Sequence, residues 1–379
     1  MNILFSTTYY HPYISGLSLY IRRLAEALCR RNHSVSILCM NHDDSLASNQ
    51  VSGGVQITRA RPLVPLHKGF LSVDFVRLAW VMVKKSDVVV INLPQFEGFW
   101  PALFGRMQQK KVIATYHSEL NLPSGFINSI VQRIVEIANL MTLYLSGSVV
   151  TYTQDFADNS RLLRHVIKKV VVSLPPVPVP IVRKGIMKRL LKHIGSVDVV
   201  IGVAARLASE KGLEYLFAAV PQLISVMHPK RLKIVIAGPD TPVGERAYRE
   251  KIRKLERLYS DTLVFLGEVS PDEMGSFYAL LDVLVLPSVN STETFGMVQV
   301  EAMMTGVPVV ASDLAGVRVP IRRTGMGIVV SPRDSVGLAS AIEKILKNPA
   351  AYKKDIGSIR KQFDQRHCVD FYEKLFCDQ

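Results

Sequence analysis

The chain has 379 residues, 48% hydrophobic and 21% charged, with a net charge of +14. That length suits two domains better than one, and the composition excludes a disordered chain. The excess charge is shared, with 18 Lys/Arg against 10 Asp/Glu over residues 1–180 and 28 against 22 beyond, which favours anionic ligands or an anionic membrane surface over a dedicated nucleic-acid stripe.

The N-terminus, MNILFSTTYYHP, opens on a strand and lacks the basic segment and long apolar core of a signal peptide, so a cytoplasmic location is expected. A short strand at Ile3–Phe5 leads into a helix whose apolar face is Leu17, Ile21, Leu24, Ala25 and Leu28, with Ser18 as its expected N-cap. Ser34–Cys39, Asp87–Asn92, Val112–Tyr116 and Val149–Tyr152 read as further strands, and helical patterns run over roughly 70–85, 97–108, 126–146 and 155–165. Asp74 and Arg77 interrupt the first long apolar stretch. Gln132, Arg133, Glu136 and Asn139 interrupt the second, so neither supplies the ~18 apolar residues of a spanning helix. The run SLPPVPVP, residues 173–180, cannot continue a helix or a central strand and reads as a stiff hinge.

Beyond it the alternation resumes, with strands at Val199–Ala204, Lys233–Ala237, Leu263–Leu266, Val283–Leu286 and Val307–Ala311. After Pro332 the pattern is helical, with Phe371, Tyr372, Leu375 and Phe376 as a last apolar face. Strand–helix alternation of this kind predicts doubly wound parallel sheets. The fold class is therefore α/β, two Rossmann-like domains facing each other across a cleft. The expected boundaries are 1–175, a linker at 176–182, a second domain at 183–360, and a final helix at 361–379 that packs back on the first. Cys29, Cys39, Cys368 and Cys377 have no metal or redox spacing and are expected as reduced thiols.

Chemistry is expected at the carboxyl ends of the strands. In PSVNSTETFGMVQVEAMMTGVPVV, residues 287–310, Glu293 and Glu301 flank a helix start whose backbone N–H groups at Phe295, Gly296 and Met297 suit an anion or a hydroxyl. VAARLASEKG places Arg206 and Lys211 just past a buried strand, where two cations match a diphosphate. Gly238, in a Gly–Pro turn, permits close backbone approach, as does Gly16 before the first helix. GxGxxG is absent, so no dinucleotide fingerprint exists. His117 closes the strand KVIATYHS at the cleft mouth of the first domain, with Glu119 nearby. No DxD pair is present, so no metal and no cofactor are expected, and cations and helix dipole supply the positive field.

These segments resemble a known family. YYHPYISGLSLYIRRLAEAL, TYHSE, GVAARLASEKGLEYLFAAV, IAGPD, FLGEVSPDEMGSFYALLDVLVLPS and the E-x7-E element ETFGMVQVEAMMTGVPVVAS look like a retaining GT-B glycosyltransferase of the group-1, family-4 class, nearly end to end. The resemblance implies that Arg206 and Lys211 hold the diphosphate of a nucleotide sugar, with Glu293 on the sugar hydroxyls and Glu301 on the ribose. It places His117 near the reacting carbon, Gly16 on the diphosphate and acceptor side, and Gly238 and Gly267–Glu268 by the nucleotide. Ser15-Gly16 stands where many relatives have two glycines, and Glu119 where an Asp is often seen.

The expected reaction moves a hexose from a UDP- or GDP-linked donor to an acceptor hydroxyl with retention. The front-face route is preferred, as the resemblance also suggests; a covalent one needs a carboxylate beneath the anomeric carbon, for which Glu119 is the only first-domain candidate beside His117. Closure over the hinge would exclude water. FLSVDFVRLAWVMVKK and INSIVQRIVEIANLMTLYL suit a lipid-linked acceptor and peripheral association with an anionic membrane. Rival readings are an epimerase or phosphorylase on the same scaffold, or a non-catalytic nucleotide-sugar-binding regulator.

Overall fold

The structure, a computed structural model, describes residues 1–66, 69–122, 125–240 and 245–378, with only the backbone at 64–66 and 69–71. The end of the expected last helix, at 379, lies outside the described residues. The chain forms two compact units, Met1–Pro176 together with Gln365–Gln379, and Val177–Asp364.

The first unit runs β1 (Asn2–Ser6), α1 (Gly16–Arg30), β2 (Ser34–Met40), β3 (Asn49–Ser52), β4 (Val55–Ala60), β5 (Val64–Leu66), β6 (Gly69–Leu71), α2 (Val73–Lys85), β7 (Val88–Leu93), α3 (Phe99–Met107), β8 (Lys111–Tyr116), α4 (Phe126–Leu145), β9 (Ser148–Thr151), α5 (Gln154–Asn159) and β10 (Val170–Val172). Its main sheet has the order β10-β9-β8-β7-β1-β2-β4-β3, parallel except for the antiparallel edge strand β3. The all-parallel expectation is corrected there. β3 and β4 form a hairpin through Gly53 and Gly54, at φ 59° and 82°, a two-residue turn that calls for left-handed backbone. β7 is buried along its whole length, as a central parallel strand flanked on both faces should be.

Helix α1 buries Tyr20, Ile21, Leu24, Ala25 and Leu28. Its N-cap is Ser15 and not Ser18: the Ser15 hydroxyl accepts from the Ser18 amide at 3.1 Å and the Ser18 hydroxyl from the Ser15 amide at 2.8 Å. Ser18 sits three residues inside and completes a capping box. The pattern at 155–165 is also broken, α5 ending at Asn159 and a short 3-10 turn following at Leu163–His165.

The second unit runs α6 (Lys184–Ile194), β11 (Val199–Ala204), α7 (Leu213–Ala218), α8 (Val220–Met227), β12 (Leu232–Ala237), α9 (Arg246–Leu258), β13 (Leu263–Gly267), α10 (Met274–Tyr278), β14 (Val283–Leu286), α11 (Met297–Met304), β15 (Val309–Ser312), α12 (Arg318–Thr324), β16 (Gly327–Val330), α13 (Ser335–Lys347), α14 (Pro349–Tyr352) and α15 (Ile356–Gln362). Its sheet is wholly parallel, in the order β13-β12-β11-β14-β15-β16. β15 starts after Pro308, later than expected, because proline offers no donor to the ladder. Ile201, Val203, Leu213, Phe217, Ile234 and Ile342 anchor one buried core of this unit.

The last helix, α16 (Gln365–Cys377), belongs to the first unit. Its Tyr372 hydroxyl meets the Tyr20 hydroxyl at 2.9 Å and that of Thr115 at 2.7 Å, and Asp370 pairs with Arg31 at 2.6 Å. All four cysteines are free.

Candidate active site

In a doubly wound sheet, ligands bind beyond the strand carboxyl ends where the winding reverses. In the second unit the reversal lies between β11 and β14. The loops leaving these strands carry Arg206 and Lys211 on one side and Glu293 on the other, and the fold ties the two loops together. The Val289 amide donates to the Glu210 carbonyl at 3.0 Å. Gly212 adopts φ +63°, and a Cβ there would lie 2.3 Å from the Pro287 carbonyl oxygen. Only glycine allows that approach. The result is a direct ion pair, Lys211 Nζ to Glu293 Oε2 at 2.6 Å, with both side chains largely buried.

Arg206, which is partly exposed, pairs with Glu210 at 2.5 Å. An Asx turn shapes the loop before Glu293, Asn290 Oδ1 accepting from the Thr292 amide and hydroxyl. Gly296, at φ +73°, is the N-cap of α11. The Gln299 side-chain amide pins the loop by donating to the carbonyls of Phe295 and of Val317, the latter at 2.9 Å. Glu301, just over one turn into α11, is buried, and its Oε2 accepts from the Tyr278 hydroxyl at 2.7 Å. Gly238 brings β12 against the β11 exit: a Cβ would lie 2.1 Å from the Ala205 carbonyl oxygen, and its amide donates to Gly267 at 2.8 Å. Thus Arg206, Lys211, Gly238, Glu293, Phe295, Gly296, Met297 and Glu301 all belong to one end of one sheet.

Gly16 and His117 lie in the first unit. Gly16 opens α1 directly behind its cap. His117 is buried at the exit of β8, with Nε2 2.9 Å from Asn92 Oδ1 and Nδ1 against the Tyr152 hydroxyl. The Asn92 amide nitrogen donates to the Ser6 carbonyl at 3.0 Å, so its oxygen faces the ring and Nε2 carries the proton. Burial pushes the imidazole pKa down to about 3. It is a fixed neutral ring. Glu119 is also buried, accepting from the Ser160 hydroxyl at 2.6 Å and the Arg161 amide at 2.9 Å. That geometry makes it a structural carboxylate that ties β8 to the α5 region.

A group that the sequence reading missed lies where the first sheet reverses, between β1 and β7. Gln95 and Glu97 sit just past β7, the Ser6 hydroxyl donates to Gln95 Oε1 at 3.0 Å, and Asn139 Oδ1 accepts from the Gln95 amide at 3.1 Å. Glu97 Oε1, Gln95 Nε2 and Asn139 Nδ2 are buried with no protein partner. Burial lifts the Glu97 pKa to about 7 and that of Tyr9 to about 12. Tyr9 stacks on Tyr13 with centroids 4.6 Å apart. The available signal was a glutamate in the loop PQFEG, just after the largely apolar strand VVVINL.

The family profile described as Glycosyl transferases group 1 matches residues 193–363, and that described as Glycosyltransferase Family 4 matches 14–179. An uncharacterized glycosyltransferase of Methanocaldococcus jannaschii is 26% identical over all of this chain and 95% of its own length. Glycogen synthase of Mycobacterium tuberculosis is 24% identical over 96% of this chain and 90% of its own. Among solved structures, sucrose-phosphate synthase from Thermosynechococcus elongatus superposes with a TM-score of 0.78 at 22% identity, covering 99% of each chain. HepE of Anabaena, solved in complex with UDP, does so at 0.76 and 17%, again covering 99% of each. Two sheets of this topology, the tied loops after β11 and β14, and profile matches spanning both units make this chain a GT-B glycosyltransferase of family 4, the glycosyl transferases group 1.

Proposed function

We propose that the protein transfers a hexose from a UDP- or GDP-linked donor to an acceptor hydroxyl with retention of configuration and without a metal. The observation that carries this reading is the Lys211–Glu293 pair at the reversal point of the second sheet, 2.6 Å apart. A diphosphate entering there would take Arg206 and Lys211 from their carboxylate partners through charge-assisted hydrogen bonds. Glu293, released, would accept from sugar hydroxyls, with the amides at Phe295, Gly296 and Met297 beside it. Glu301 would hold the ribose, and Gly238 would let backbone approach the nucleotide. HepE, solved with UDP and with UDP-glucose, makes UDP the first probe.

In the proposed step the anomeric C–O bond to the diphosphate breaks, and the acceptor oxygen bonds to the same face. Its proton passes to the departing phosphate oxygen. Charge grows on the leaving group, where Arg206, Lys211 and the helix start stabilise it. Glu119, with its oxygens held by Ser160 and Arg161, is not assigned a nucleophilic role. His117 is assigned a positioning role as a neutral ring, and Gly16 belongs to the same wall.

Acceptor recognition is assigned to the first unit, where Glu97 and Gln95 offer unpartnered hydrogen-bonding atoms and Tyr9 and Tyr13 a stacking surface for a sugar ring. The acceptor class is a glycan, glycolipid or lipid-linked saccharide, with peripheral association at an anionic membrane. Purified protein incubated with UDP- and GDP-sugars tests the reading. Nucleotide release that persists in excess EDTA, with an anomeric proton coupling in the product matching the donor, is the expected outcome. Release abolished by EDTA and restored by Mg²⁺ removes the metal-independent step, and an inverted product removes the front-face route.

A further inference from the structure

Helix α4 is built inside out. Its residues at 126, 130, 134, 137, 141 and 144 recur at helical spacing and share one face. They are Phe126, Ile130, Ile134, Ile137, Met141 and Tyr144, and all are exposed, Phe126 to 83%, Ile137 to 60% and Tyr144 to 53%. The face toward the sheet is the more polar one, burying Asn139 and Thr142 beside Ala138 and Leu143. A 20-residue helix is about 30 Å long, so the stripe is a continuous apolar strip well beyond a scatter of single surface residues.

The neighbouring helices extend it. α3 packs between α2 and α4, and right-handed crossovers place these three on the face of the sheet opposite α1. α16 joins the α1 side, through Tyr20. Both tryptophans of the chain are in this layer: Trp80 meets Phe104 edge-on at 5.1 Å, and Phe104 meets Trp100 at 5.9 Å. The three helices hold five Arg/Lys against two acids, and both acids are already paired, Asp74 with Arg77 and Glu136 with Arg161. Lys84, Lys85, Arg106 and Arg133 are exposed.

We infer that the α2–α3–α4 face of the first unit docks on an anionic lipid bilayer, the α4 stripe entering the interface while Lys84, Lys85, Arg106 and Arg133 meet lipid phosphates. An apolar strip with tryptophans and unpaired cations on the same helical layer is the chemistry of interfacial binding. A second copy of the chain is the poorer occupant, because a two-fold contact sets the same patch against itself and would oppose cation to cation. The proposal deepens the membrane-associated acceptor reading by naming its surface.

The test is flotation of the full chain with phosphatidylcholine vesicles containing 30% phosphatidylglycerol, and with phosphatidylcholine alone. The wild type is expected to float with the anionic vesicles at low salt. The triple variant Ile130→Ser, Ile134→Ser, Ile137→Ser, and separately Lys84→Glu with Lys85→Glu, should each lower the bound fraction at least roughly tenfold. All five positions are exposed, so circular dichroism and melting temperature should stay at wild-type values. Absence of wild-type binding at low salt overturns the proposal, as does undiminished binding by the triple variant. Sedimentation of the wild type as a dimer that the triple variant dissolves, without vesicle binding, overturns it in favour of a second copy. Nucleotide release from UDP- and GDP-sugars, followed in the same samples, separates the readings: intact release without flotation removes only the docking face, and flotation without release removes the transferase reading.

Discussion

Lys211 and Glu293 form one ion pair, and the proposed reaction gives its two ends opposite tasks. Lys211→Ala removes a charge-assisted hydrogen bond to the donor diphosphate, worth ~1.5–3 kcal/mol, which lowers kcat/KM by roughly 10- to 150-fold. It also strands the largely buried Glu293 carboxylate, whose partner stood at 2.6 Å, costing ~1–3 kcal/mol of stability. Glu293→Gln has the opposite effect on simple diphosphate binding. With its partner neutral, Lys211 is released toward the ligand, so UDP alone should bind as tightly as in the wild type or more tightly. Transfer should still fall, because an amide accepts the sugar hydroxyls less strongly than a carboxylate. The assay is titration calorimetry of UDP beside steady-state nucleotide release, with melting curves to confirm folding. Wild-type kcat/KM for Lys211→Ala, or equal losses of UDP affinity in both variants, would refute the reasoning.

Gly212→Ala should lose ~1–3 kcal/mol of stability and most donor affinity by melting with and without UDP, since φ is +63° and the new methyl would meet the Pro287 carbonyl at 2.3 Å. Tyr372→Phe leaves the Tyr20 and Thr115 hydroxyls without their shared partner, 2.9 and 2.7 Å away, and should cost ~1–3 kcal/mol in denaturant unfolding. The Glu97 pKa is raised from 4.5 to about 7, so the folded state holds this proton more tightly. Its contribution is full below pH 4.5 and fades through pH 7, about 3 kcal/mol in all. Glu97→Gln should remove that decline, visible as a melting temperature less sensitive to pH across this window. His117 has the opposite sign: with a pKa lowered from 6.5 to about 3, its contribution is full above pH 6.5 and is lost as pH falls toward 3, about 4–5 kcal/mol in all. His117→Asn should flatten the acid side of the same profile.

The sequence exposed the elements built on strong local signals. Short runs rich in β-branched residues, such as VVIGVA and VLVL, favour buried strands by length and composition, and β11 and β14 fall at the expected residues, Val199–Ala204 and Val283–Leu286. The gathering of loops at the carboxyl end of the second sheet was legible for a related reason. Gly238 stands at the exit of β12, and Gly212 and Gly296 cap the helices that follow β11 and β14, each in a positive-φ backbone that marks close approach. What stayed hidden was either weakly patterned or dependent on partners distant in sequence. The hairpin at Asn49–Ala60 is polar and forms an edge, so its apolar signal is faint, although the Gly–Gly turn was readable. Glu119 looked like a loop acid, but it is buried by Ser160 and Arg161, about forty residues away in the chain. Glu97 gains its chemistry only from burial beside Thr8 and Tyr9, contacts that span about ninety residues.

The pairing of Arg206 and Lys211 also bears on the strong net charge. Arg206 and Lys211 are each neutralised by a carboxylate, Glu210 and Glu293, so the site itself carries almost no excess and the +14 of the chain lies elsewhere. In the proposed exchange the ligand's diphosphate replaces two carboxylates already in place, and the net gain is smaller than two bare cations would give. Selectivity then comes from what the freed carboxylates do. Inorganic pyrophosphate satisfies the cations but leaves Glu293 unpaired, whereas a nucleotide sugar supplies hydroxyls for it to accept. The expected order of affinity is therefore nucleotide sugar above pyrophosphate, with the gap narrowing in Glu293→Gln. Calorimetry on both proteins with both ligands measures it, and an unchanged gap in the variant would show that Glu293 makes no contact with the sugar.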